Sequence, residues 1–235
     1  MKTLQITAND IKDGKYLKGG VDFKGHVEIS ESLGWIYFTS LKAEGYIYAK
    51  PGTGIKADEG IEAGWSIKSG ESIKAGGYII AGTDIEAGGG IKAGEGIKAG
   101  MGIKADEDIE AGGSIRAGDG IEAGKGIKAG WDIEAGWSIK SGESIKAGGY
   151  IEAGGDIIAG KGIKAGWDIK AGTDIKAGGG IKAGEGIEAG GSISAELRIF
   201  AGLIMWRKPE PEEMQIKCRQ LKSGEIVCGN LIETG

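Results

Sequence analysis

Of the 235 residues, only three are proline, two are cysteine and one is histidine. So little proline excludes collagen, which also needs glycine at every third position, whereas glycine here recurs every sixth. Cys218 and Cys228 are too few for a disulfide framework and lack the companions of a zinc site, so they read as ordinary strand residues. The lone histidine, His26, lies in an irregular early stretch and reads as a surface or corner residue. No apolar run approaches the length of a membrane span, and Met1-Lys2-Thr3-Leu4 opens no signal-peptide pattern; the expectation is a cytoplasmic protein that meets no membrane. An excess of one charge is also missing. The 29 basic and 34 acidic residues give a net charge of -5, which speaks for solubility rather than for a particular partner.

What the chain has instead is a period. From Ile55 to Ile199 every sixth residue is isoleucine, 25 in all, in the unit I-x-A-G-x-x, as in Ile91-Lys92-Ala93-Gly94-Glu95-Gly96. In an extended strand, residues i and i+2 share a face, so each isoleucine and the following alanine point inward while the residue between them meets water. The next three residues turn a corner, where glycine is expected because it takes positive φ without steric cost. Three such sides close a triangular coil of eighteen residues. Stacked coils then pair every backbone N–H and C=O with the coils above and below. The predicted fold is all-β: a single-stranded parallel β-helix with isoleucine ladders inside, each isoleucine worth roughly 1.5 to 3 kcal/mol on burial.

Coiled coils need a seven-residue period, and this much glycine opposes any helix. A disordered glycine-rich linker, the remaining rival, has no reason to keep its isoleucines in phase. The sixteen residues Gly64 to Ile79 recur unchanged at Gly136 to Ile151, 72 positions later. That shift is four coils of eighteen, so a duplicated block lands on the same sides of the triangle.

The hexad resembles the hexapeptide-repeat proteins, whose left-handed β-helices use small-x-aliphatic-G-x-x; here the large and small inward positions are exchanged. The resemblance covers roughly residues 21 to 202 and implies a triangular β-helix, with the left-handed form expected. Bactofilin-like polymers, which build right-handed coils from similarly spaced aliphatics, are a second resemblance.

Four segments are expected. Residues 1–20 form an N-terminal capping segment with a short strand at Leu4 to Thr7. Residues 21–54 form irregular first coils, with inward pairs such as Val27/Ile29 and Leu33/Trp35, two-residue corner insertions, and an aromatic plug. Residues 55–202 form the regular helix. Residues 203–235 form a cap: an apolar run from Phe200 to Trp206 seals the core, Pro209 and Pro211 stop pairing, and a β-hairpin turns at Ser223-Gly224. The hairpin either covers the stack or pairs with another subunit.

Assigning hexads to sides puts Lys56, Lys74, Lys92, Glu110, Lys128, Lys146, Lys164 and Lys182 in one outward file, with rungs about 4.8 Å apart. A second side nearly alternates in sign and a third is mixed. The lysine file is either a ribbon for an anionic partner, direct nucleic-acid binding included, or a solvated face that discourages aggregation. The corner after it carries Trp131, Tyr150 and Trp167, and the next carries Trp65, Met101 and Trp137. Exposed aromatics in a row are typical of binding hot spots. Trp131, Tyr150 and Trp167 beside Lys128, Lys146 and Lys164 are the candidate contact patch.

Nothing in the text points to a cofactor or catalytic constellation. The G-x-G fragments arise from the repeat and lack the strand-to-helix context of a nucleotide loop. Asp106-Glu107-Asp108 reads as a solvated turn rather than a calcium loop. The leading expectation is therefore a non-catalytic scaffold or inhibitor that docks on a protein or protein–nucleic-acid complex. Its duplicated, compact text suits a phage-encoded antagonist of a nucleic-acid-processing defence enzyme. A bactofilin-like self-assembling element is the second expectation. A hexapeptide-repeat acyltransferase, which would need His26 as base at a subunit boundary, is the third.

Overall fold

A computed structural model describes residues 1–203 and 209–234. The chain divides into two compact units, 1–113 and 114–235, and both are parallel β-solenoids. In the regular coils a three-residue strand, such as Ile73–Ala75 or Ile145–Ala147, has its isoleucine and alanine buried and its middle residue exposed. Each strand pairs in parallel with the strand eighteen residues on: Ile73 with Ile91 in the first unit, Ile145 with Ile163 in the second. Every isoleucine of the file is essentially inaccessible, so the interior is a stack of branched side chains on a small alanine counter-row. β-branched residues suit this surface because their restricted χ1 matches the pleat. The backbone is satisfied between coils: the Ile73 amide donates to Gly90 O at 2.9 Å and the Gly94 amide to Ala75 O at 3.1 Å.

The corner glycines are needed for a different reason from the expected one. Among the described glycines of the regular hexads only Gly202, at the end of the last one, has positive φ; the other described glycines with that conformation are Gly14, Gly19, Gly34, Gly52, Gly224 and Gly229. What forbids a side chain after the alanine is the neighbouring coil. A Cβ on Gly94 would lie 1.9 Å from Gly76 O, and one on Gly166 would lie 2.0 Å from Gly148 O. Close stacking of backbone on backbone, rather than backbone freedom, fixes this glycine.

A second device went unnoticed in the sequence. The residue just before an isoleucine is often Asp or Ser, and its side chain accepts the amide of the equivalent residue one coil later. Gly102 N–H donates to Asp84 Oδ1 at 3.0 Å and Gly90 N–H to Ser72 Oγ at 2.9 Å. In the second unit Gly186 donates to Asp168 Oδ1 at 2.9 Å, Asp174 to Asp156 at 3.1 Å, and Ser192 to Asp174 at 2.6 Å. These side-chain oxygens staple one corner to the next, as an Asx turn does within a loop.

The first coils are larger, with partners such as Val27 and Ile47 twenty residues apart. The strand here is Gly34–Phe38, whose buried residues are Ile36 and Phe38, so the expected inward pair Leu33/Trp35 is corrected. Ile36 is the residue that registers with Ile55, which leaves Trp35 outside over Gly54. The aromatic filling exists, supplied by Tyr16 and Phe38, whose ring centroids are 5.4 Å apart. Thr53 is buried at the inserted corner and pays its polar debt locally, accepting from Leu33 N and donating to Ser30 O. The strand Lys2–Ile6 pairs in parallel with Gly25–Ile29.

The expected C-terminal strand segments are present, but their pairing is parallel. Gln215–Cys218 lies on Ile187–Ala189, Gln220–Cys228 on Ser192–Phe200, and Asn230–Glu233 on Gln215–Cys218. The reason is register: Ile216 falls beside Ile187, and Ile226 beside Ile199, so the inner ladder continues in preference to an antiparallel pair. Gly224, at φ 117°, sits against Ile199 and bends its strand where the turn was expected. Pro211–Met214 forms a short 3-10 turn capped by Glu210 and Glu213. Of the apolar run assigned to sealing the core, Ala201 and Gly202 are buried, while Ile204 to Trp206 lie outside the described residues.

Candidate docking face

Parallel register settles where the outward residues go. In the first unit Lys56, Lys74, Lys92 and Glu110 occupy consecutive rungs of one face. Lys92 Nζ meets Glu110 Oε2 at 2.6 Å, and the following corners carry Asp58, Glu59 and Glu95. A cleft of about 280 Å³ beside Trp35 sets Lys74 and Lys92 against Glu107, Asp108 and Glu110, so positive charge is met locally by carboxylates.

The corresponding file in the second unit is Lys128, Lys146, Lys164 and Lys182. All four are exposed, and none has a carboxylate within ion-pair distance among the described residues. Lys182 has a partner of another kind, its ammonium 5.0 Å over the Phe200 ring. The other two faces of this unit balance themselves better. Arg116 Nε lies 3.2 Å from Glu134 Oε2, and Glu122 registers with Lys140.

The corner after this file reads Trp131, Gly149 and Trp167 on three successive coils, joined by Gly149 N–H to Trp131 O at 2.9 Å and Trp167 N–H to Gly149 O at 3.1 Å. Trp131 is 64% exposed and Trp167 50%, with the bare rung of Gly149 between them. Tyr150 stands one residue beyond that edge and is turned away from the indoles. Its hydroxyl donates to the Glu134 carboxylate on the adjacent face, and this bond with burial and the nearby charge pushes the phenol up to about 12. Tyr78, its copy in the duplicated block, lies instead over Gly60, because the preceding coil there has glycine where the second unit has Asp132. Of the expected patch, the structure brings together Trp131, Trp167, Lys128, Lys146 and Lys164, and gives Tyr150 a role within the wall.

Trp65, Thr83 and Met101 form a comparable edge in the first unit, and Trp137 is the most exposed indole among the described residues of the second. His26 is half-buried; its Nδ1 accepts the Tyr46 amide at 3.1 Å and its ring stacks on Tyr46 at 4.1 Å. Tyr46 in turn donates to Glu28 at 2.6 Å, a bond that holds the Glu28 carboxyl below its usual range. The thiols of Cys218 and Cys228 are free, and burial raises the pKa of Cys218. Among the described residues no group of three His, Cys, Asp or Glu side chains is arranged to hold a metal ion. No helix among them is long and apolar enough to cross a membrane. No protein-family model matches the chain, and neither a curated protein nor a solved structure matches it.

Proposed function

We propose that this is a non-catalytic, rigid docking protein that binds a macromolecular partner through the lysine face and tryptophan edge of residues 114–235. One observation carries the reading: four lysines stack on consecutive rungs without carboxylate partners among the described residues, beside two indoles that solvent reaches. Stacked like charges destabilise a sheet, and exposed indoles oppose solubility, so both features gain a rationale if a partner covers them. The partner in this reading is a cytoplasmic protein or protein–nucleic-acid complex with an acidic, partly apolar face. The narrower form, a phage-encoded inhibitor of a nucleic-acid-processing enzyme, rests on the duplicated block and compact size alone.

Affinity capture followed by rebinding of the purified partner tests this. Trp131→Ala with Lys146→Glu should abolish capture, and Lys176→Glu, on another face, should not. A partner held equally by all three proteins, or none held by the wild type, overturns the reading.

A second reading is end-to-end self-assembly. The strands Gln220–Cys228 and Asn230–Glu233 each pair on one side among the described residues, and Val227, Leu231 and Ile232 on them are exposed. Such edges are templates for another chain. Sedimentation showing a single monomeric species at high concentration removes it.

A further inference from the structure

We infer that the second unit carries a binding site for a nucleotide group, a flat base joined to phosphate, at the corner where Trp167 meets Lys164 and Lys182. The inference deepens the docking reading and rests on it for the lysine face. A cleft of about 570 Å³ opens there. Its floor is the column of corner glycines, including Gly166 and Gly184, which have no side chains to fill it. Trp167 forms one wall, the ammonium-bearing Lys164 and Lys182 another, and Leu203 closes a third.

These groups divide the work of recognising one chemical class. The half-exposed Trp167 indole offers a π-face, which accepts any base, and the exposed side of Leu203 lies across the same cleft. Lys164 and Lys182 are adjacent rungs, so two ammonium groups about 4.8 Å apart at the backbone can share one phosphate or bridge two. The cleft volume falls within the range of small-molecule sites. The same face of the first unit sets Glu107, Asp108 and Glu110 beside its lysines, an arrangement that repels phosphate.

The group can come from a free nucleotide or from a single strand. A free nucleotide needs Lys164 and Lys182 only. A strand that continues along the file also needs Lys146 and Lys128, and passes Trp131 two rungs away.

Calorimetric titration of the full chain with adenosine triphosphate, inorganic triphosphate and a short oligothymidylate tests the site. A nucleotide-bearing probe should bind about tenfold or more tightly than inorganic triphosphate, because only it can stack. Trp167→Ala and Lys182→Gln should each weaken it by about tenfold, and Trp137→Ala should not, with unchanged melting temperatures as the check on folding. Loss of oligothymidylate binding in Lys128→Glu, with adenosine triphosphate unaffected, assigns the strand as the source; binding of adenosine triphosphate alone assigns the free nucleotide. The inference is overturned if no probe binds at low millimolar concentration, if inorganic triphosphate binds as tightly as the nucleotide, or if the folded Trp167→Ala protein binds like wild type. Those results leave the docking reading standing, since capture through Trp131 and Lys146 is measured separately.

Discussion

The Gly186 amide donates to Asp168 Oδ1 across 2.9 Å, although the two residues lie one full coil apart. This bond is the repeating staple of the corners, and an amide left there without an acceptor would be half-buried and unsatisfied. Asp168→Ala should therefore lower the stability of the second unit by about 1 kcal/mol, and Asp168→Asn, which keeps an acceptor oxygen, by less. Urea unfolding followed by circular dichroism checks the order.

Asp174 adds a pH dependence. The Ser192 amide and then the Ser192 hydroxyl, both bonded to Oδ1, hold its carboxyl below the usual aspartate range. A carboxyl whose folded pKa is depressed contributes stability that is present above its unfolded value and is lost as pH falls through the folded one. The wild-type protein should lose stability on acidification below about pH 4, and Asp174→Asn should lose less over that window. Melting temperatures across the acid range provide the measurement; superimposable acid limbs would dismiss the staple as a source of stability.

Glycine substitutions distinguish close approach from turn conformation. At Gly166 an added carbon would lie 2.0 Å from Gly148 O, whereas at Gly162 the nearest atom, Gly180 O, is 3.2 Å away. Gly166→Ala should force adjacent coils apart and cost about 3 kcal/mol or prevent folding. Gly162→Ala should cost less than about 1 kcal/mol. Equal effects at the two sites would refute stacking as the constraint.

How legible this was follows from where each residue's constraint originates. Ile91 and Ala93 answer to a period of two within the strand and of eighteen between coils, both visible in the text, and the files of lysine came out on the faces expected. Leu33 and Trp35 were misplaced because a strand of five residues, Gly34–Phe38, replaced the hexad there, and only the register of Ile36 with Ile55 shows the phase. The parallel C-terminal strands were hidden by Ser223-Gly224, a dipeptide that reads as a turn in isolation but here bends one strand. Tyr150 shows the same limit on the candidate face: one residue of offset from Trp131 and Trp167, and an acceptor at Glu134, turn it to another side. The Asp-Ile and Ser-Ile pairs that mark the staples recur in the sequence, and their meaning needed the neighbouring coil.

Lys146 stands between Lys128 and Lys164, and the first unit shows the alternative in Glu110, which closes on Lys92 at 2.6 Å. A glutamate at position 146 would replace two like-charge neighbours with two opposite ones, a gain of about 1 kcal/mol for exposed cross-strand pairs at low salt. Lys146→Glu should therefore raise the melting temperature in dilute buffer. The gain should fade towards 1 M salt, where screening acts within about 3 Å. If the lysine file is merely a solvated face, the variant is more stable and otherwise indistinguishable from wild type. If the file is a docking face, the same variant is more stable and fails to hold its partner, and that combination is the expected result. A variant that binds normally would return the four lysines to the role of surface charge.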